Sequence, residues 1–133
     1  MIAVRAGIVV LAIAAIAWLA LGIAASHAQD DLARLVAVTE HPTAAQIARA
    51  ADLRRDAERW VPGRRPSLLE ATLRLKGDDT PGAARLLTDV VRDEPENAEA
   101  WLLLSQAARD RDPALAERAS ARVRALAPEV PPP

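Results

Sequence analysis

The chain has 133 residues, no cysteine, a net charge of −1 and three aromatic side chains, all tryptophan. Without thiols there is no disulfide framework, no thiolate metal site and no point of attachment for a lipid. Residues 26–133 hold all 18 acidic groups and every basic group except Arg5, a balance that leaves no electrostatic footprint for nucleic acid. Arginine far outnumbers lysine, of which Lys76 is the sole example; this reads as the codon bias of a GC-rich, bacterial genome.

From Ala6 to Ala25 no residue is charged, with Arg5 just before the run and Asp30 and Asp31 just after it. Twenty residues at about 1.5 Å each make a helix of roughly 30 Å, the thickness of a bilayer's hydrocarbon core. A helix satisfies its own backbone polar groups there. Positive charge before the run and acid after it predict a single-pass protein of the plasma (inner) membrane, with a cytoplasmic amino terminus and the rest extracytoplasmic. The other reading is a cleaved signal peptide. Ser26 and Ala28 are small residues suited to a signal peptidase, and a mature chain from Gln29 would be secreted or periplasmic. The apolar run exceeds the roughly 7–15 residues of a signal core, which favours a retained anchor. Trp18 lies inside it and adds nothing. Residues 29–43 are then a juxtamembrane linker or an extension of the membrane helix. Leu35 and Val38 stand in the register of a hairpin's first helix, but Pro42 interrupts it.

The remaining residues suffice for one small domain, and everything in it reads as helix. No stretch alternates with period two, and Phe and Tyr are absent. Thr43 followed by Gln46 is a capping-box pattern opening a helix from Ala44 to about Trp60, which Pro62-Gly63 ends. The next helix runs from near Pro66 to Gly77. Thr80 as cap with Pro81 in the first turn opens a third, to about Asp93. Asn97 caps a fourth, from Ala98 to about Asp110, and Asp112-Pro113 opens a fifth that reaches Leu126. Connections this short make successive helices pack antiparallel. Residues 128–133, ending in Pro131-Pro132-Pro133, predict an extended, exposed, proline-rich tail.

An internal repeat underlies this order. Pro62, Pro95 and Pro128 recur every 33 residues, and twelve residues before each stands an alanine, Ala50, Ala83 and Ala116. On the same period Ala57 aligns with Val90 and Val123, Leu68 with Trp101, Leu69 with Leu102, and Ala71 with Leu104. Small and apolar residues in helical register are what the contact faces of stacked helical hairpins require.

The stretch from Pro95 through Trp101-Leu102-Leu103-Leu104-Ser105 resembles the opening of a tetratricopeptide repeat, with Trp101, Leu104 and Ser105 at the Trp, Leu and small-residue positions. Ala116 and Pro128 match its second helix and terminal proline. Residues 66–95 are a weaker copy, and residues 44–62 match a second helix only. The copies depart from the family pattern at Leu75 and Ala108, where an aromatic is usual, and in a period of 33 rather than 34. Ankyrin repeats share that period, but their Thr-Pro-Leu-His signature is missing. The resemblance implies an all-α array of about two full hairpins plus a preceding helix over residues 44–128; a simple helix bundle is the alternative.

The family's first helices line a concave groove. The resemblance therefore places Leu69, Leu73 and Lys76 of one helix and Leu102, Gln106 and Arg109 of the next on a partner-binding surface. Independently, Leu69 and Leu73 form an i, i+4 stripe distinct from that of Leu68 and Leu75. Such a stripe faces a partner or packs under the 44–60 helix. Trp101 reads as a core anchor, and Trp60 as half-exposed at its helix end.

Catalytic chemistry is hard to locate. His27 and His41 have no ligand or acid partner at helical spacing, and the glycines are scattered rather than gathered in a phosphate loop. Glu70, Asp78 and Asp79 read as single surface acids, and Arg54 with Glu58 as a solvated i, i+4 pair. The sequence thus points to a non-catalytic protein-interaction scaffold or assembly factor, without cofactor, metal, nucleic acid or small-molecule substrate. The alternatives are a self-associating subunit of a membrane complex and a secreted adaptor.

Overall fold

The computed structural model describes residues 27–59 and 62–127, and among them all regular structure is helical, with no strand. The helices are α1 over residues 27–38, α2 Ala44–Glu58, α3 Arg65–Lys76, α4 Thr80–Asp93, α5 Ala98–Ala108 and α6 Pro113–Leu126. The apolar run 6–25, Trp18, Trp60, Pro128 and the tail 131–133 lie outside the described residues. No helix among the described residues is long and apolar enough to cross a membrane.

Side-chain caps set most helix starts. Thr43 and Gln46 close a reciprocal capping box on α2, and the Asn97 carbonyl accepts from the Ala100 amide at 3.0 Å to open α5. The start of α4 differs from the sequence expectation. Asp79, not Thr80, is its cap, and its carboxylate accepts from the Gly82 amide at 3.0 Å. A carboxylate suits the positive end of a helix better than a hydroxyl does, so Thr80 becomes the first helical residue. Asp112 caps α6 in the same way, accepting from the Leu115 amide at 2.9 Å. The ends of α2 and α5 fall two residues short of expectation. The Asp112 amide turns back to the Ala108 carbonyl at 2.8 Å and closes α5 early.

Each helix from α3 onward packs on the one before it, and α3 also touches α5. Within α2–α6, α2 meets only α3, and α6 meets only α5. The array is therefore open and linear, held by neighbour contacts, rather than closed on itself. The stretch taken as linker contributes α1, whose Leu32 and Val36 join Ala50 and Leu73 in a small core. A separate, larger core runs through α3–α6, built on Leu68, Ala71, Leu87, Val90 and Leu104 among others.

At the aligned positions Ala50, Ala57, Leu68, Ala83, Val90, Leu104 and Val123 are buried. Ala116 is only half-buried; among the described helices α6 packs on α5 alone. Two expectations of packing need correction. Pro62 and Pro95 are exposed; they interrupt the helical ladder and fill no core. Trp101 is half-buried at the margin of the larger core, where its indole N–H must reach the Pro95 carbonyl, at 2.9 Å.

Candidate functional site

The six residues assigned to a groove separate into two groups. Leu73 is fully buried among Leu32, Val36 and Ala50, and Leu69 is half-buried against the same cluster. Lys76 is engaged too: its ammonium donates to the Val36 carbonyl at 2.7 Å and the Thr39 carbonyl at 3.1 Å. It thereby caps the carboxyl end of α1, where orphan carbonyls and the helix dipole favour a cation. On α3 the second apolar stripe is thus covered by α1 together with Ala50 and Leu53 of α2, the helix the sequence offered as its cover. Gly77 makes room for this approach, since a Cβ there would lie 3.0 Å from Ile47 Cδ1 and Pro42 Cγ.

On α5 the surface is open. Leu102 is half-buried and belongs to neither core, while Gln106 and Arg109, four and seven residues on, are exposed. Arg109 forms no ion pair among the described residues and edges a shallow depression with Ser105, Ala116 and Ser120. Ser105 turns its hydroxyl to the Leu102 carbonyl at 2.7 Å, which lets a small polar residue sit buried at the helix contact.

The main correction concerns charge. Glu70, read as a surface acid, is 2% exposed. One carboxylate oxygen accepts from Arg54 Nε at 2.6 Å, and the other from Arg74 Nε at 2.7 Å. Arg54 also donates to Glu58 at 2.6 Å, and Arg74 to Asp79. The second oxygen of Glu58 accepts from the Ser67 hydroxyl. Arg54 with Glu58 is accordingly part of a buried network between α2 and α3 and the turn after it, not a solvated pair. Burial opposes the charge on Arg54, but the hydrogen bonds it donates to Glu70 and Glu58 and their negative charges outweigh it and raise its pKa. Arg74 is raised likewise, burial being overcome by Glu70 and Asp79. With an arginine on each oxygen and almost no exposure, Glu70 joins helices and is closed off from solvent.

A signal for this network was present in the repeat. One period after Arg54, Glu58 and Glu70 stand Leu87, Val91 and Leu103. The contact between α4 and α5 is apolar at the positions where the contact between α2 and α3 is ionic. Charges at aligned positions that are apolar in the next copy mark a paired, buried set. Among the described residues no group of three or more His, Asp or Glu is placed to hold a metal ion. Comparison with protein-family models, curated proteins and solved structures finds no match to this chain.

Proposed function

We propose that residues 44–127 form a non-catalytic, tetratricopeptide-like docking module for another protein, carried on the extracytoplasmic face of a membrane by an anchor at residues 6–25. The observation that supports docking best is the open linear stack, in which α6 and α2 make no closing contact. Arrays built this way present long continuous faces and commonly bind extended or helical segments along them. Leu102 supplies the apolar anchor, Gln106 a hydrogen-bonding amide, and Arg109, unpaired among the described residues, a cation for an acidic group on the partner. Lys76 has no part in this surface while it caps α1.

In-cell crosslinking of the full-length protein beside Leu102→Arg and Arg109→Glu variants tests the reading. Circular dichroism must first establish that both variants keep the parent's helicity. A partner lost from both folded variants supports the surface on α5; identical partners for all three reject it. Membrane fractionation with added protease tests the topology. A carboxyl-terminal domain that remains protected in spheroplasts contradicts the extracytoplasmic placement.

A further inference from the structure

We infer that the first hairpin, α1 with α2, is a latch that docks on and detaches from α3 as a unit, while α3–α6 stays folded. Three observations carry this. The buried apolar residues form two separate clusters, a small one shared by α1, α2 and α3 and a larger one spanning α3–α6. Between them the contact of α2 with α3 is ionic over the stretch built from Arg54, Glu58, Ser67, Glu70 and Arg74, and apolar only where Ala50 and Leu53 meet Leu69 and Leu73. The aligned contact of α4 with α5 carries Leu87, Val91, Ala100, Leu103 and Ala107 instead.

The ionic seam also divides cleanly. When α2 leaves, Arg54 keeps its partner Glu58 on the same helix. On the other side Glu70 keeps Arg74, four residues on, and Arg74 keeps Asp79. Each half therefore parts with its charges already paired, and water replaces the bonds that cross, from Arg54 to Glu70 and from Ser67 to Glu58, together with the longer Arg64–Glu58 contact at 3.8 Å. An apolar seam has no such solution, because its halves expose bare hydrocarbon on separation. Contacts that must open resemble polar, transient interfaces more than cores. Detachment uncovers Leu73 and the rest of Leu69 and frees Lys76 from Val36 and Thr39. On the docking reading proposed above, which this last consequence alone rests on, the latch doubles the usable face by adding α3 to α5.

The absence of cysteine from the chain gives a direct test. Leu73→Cys and Leu87→Cys are introduced singly into the full-length protein in detergent micelles; both leucines are fully buried, one under the latch and one in the larger core. Maleimide labelling, normalised to the unfolded rate, should be at least ten-fold faster at position 73 than at 87. Adding Arg54→Leu, Glu58→Val and Glu70→Leu, the side chains of the other seam, should slow position 73 at least ten-fold and leave position 87 unchanged. Equal rates at the two positions, or a ratio indifferent to the seam, overturns the inference. Hydrogen exchange of the unsubstituted chain decides the matter should the variants misfold. Amides of residues 30–38 and 46–58 should exchange in one correlated step, ahead of 83–91 and 100–108; exchange of all four stretches in a single step overturns it. No partner is needed in either experiment, so the latch and the docking surface fail separately.

Discussion

Replacing Glu70 alone by leucine removes the carboxylate that two arginines share. Deleting one partner of a buried pair costs about 3–5 kcal/mol when the survivor is left bare. Here the survivors are not bare. Arg54 retains Glu58, Arg74 retains Asp79, and their side chains are 21% and 23% exposed. Solvent and the remaining carboxylates reduce the expected loss to about 1–3 kcal/mol, a fall in Tm of roughly 5–15 °C for a domain of this size. The triple substitution Arg54→Leu, Glu58→Val, Glu70→Leu should act in the opposite direction. It takes the charges from both sides and installs the residues found one repeat later, so it should be neutral or stabilising by up to about 2 kcal/mol. Thermal unfolding of the full-length protein in micelles, followed by far-UV circular dichroism, measures both. A single variant within about 0.5 kcal/mol of the parent, the range of inert surface changes, would show that Glu70 holds nothing. A triple variant less stable than the single would refute the equivalence of the two seams.

The aligned alanines should respond unequally to enlargement. Ala50→Leu and Ala83→Leu overfill closed contacts and should each cost about 1–3 kcal/mol, whereas Ala116→Leu on half-open α6 should stay within about 0.5 kcal/mol; equal losses by thermal unfolding would mean that α6 is covered as fully as α2 and α4. Lys76→Met keeps the stem and removes the donor to two α1 carbonyls, so exchange of residues 30–38 should accelerate about 5- to 30-fold, for a loss near 1–2 kcal/mol. Unchanged exchange there would remove Lys76 from the hold on α1. Gly63 has φ +98° and open space where a Cβ would project, with nothing nearer than 3.9 Å. Gly63→Ala should therefore cost about 1–2 kcal/mol through backbone strain alone, and a Tm equal to the parent's would contradict it. The raised pKa values of Arg54 and Arg74 fix the sign of the pH dependence. Their contribution is complete below the ordinary arginine value and lost only as pH climbs through the higher folded value. The Tm difference between parent and triple variant should accordingly be the same at about pH 7 and about pH 9, and a difference that closes over that interval refutes it.

Helix number and most helix limits from residue 44 onward were readable because caps are local. Thr43 with Gln46, and Asn97, act within four residues of themselves. Thr80 misled because two adjacent residues, Asp79 and Thr80, both make good caps, and only geometry selects between them. The stripe of Leu69 and Leu73 was readable as apolar surface in want of a cover, and so was one part of that cover, the 44–60 helix that brings Ala50 and Leu53; the other part, α1, was not. Leu32 and Val36 lie more than thirty residues away, in a stretch whose proline at position 42 reads as a break. That proline ends up in the turn between α1 and α2, past the point where it could disrupt either helix. Glu70 was misread for a different reason. It reads as a single surface acid because Arg54, sixteen residues earlier, reaches it from another helix, and Arg74 four residues on is a commonplace spacing that does not signal burial.

A repeat written twice in one register with different chemistry separates two mechanical duties. The contact of α4 with α5 is apolar and shares its core with α3 and α6, so those four helices lose stability together or not at all. The contact of α2 with α3 is ionic and backs onto a core of only four buried residues. Directional bonds of this kind fix one docked geometry and give little for a partial one, which favours an all-or-none separation over gradual loosening. The labile hairpin is also the one that the 6–25 run leads into. On the anchor reading, a pull between the membrane and a partner held on α5 passes through that seam and the small apolar core beside it. The seam then yields before α3–α6 does, and its yielding exposes Leu69 and Leu73 on the helix next to the partner.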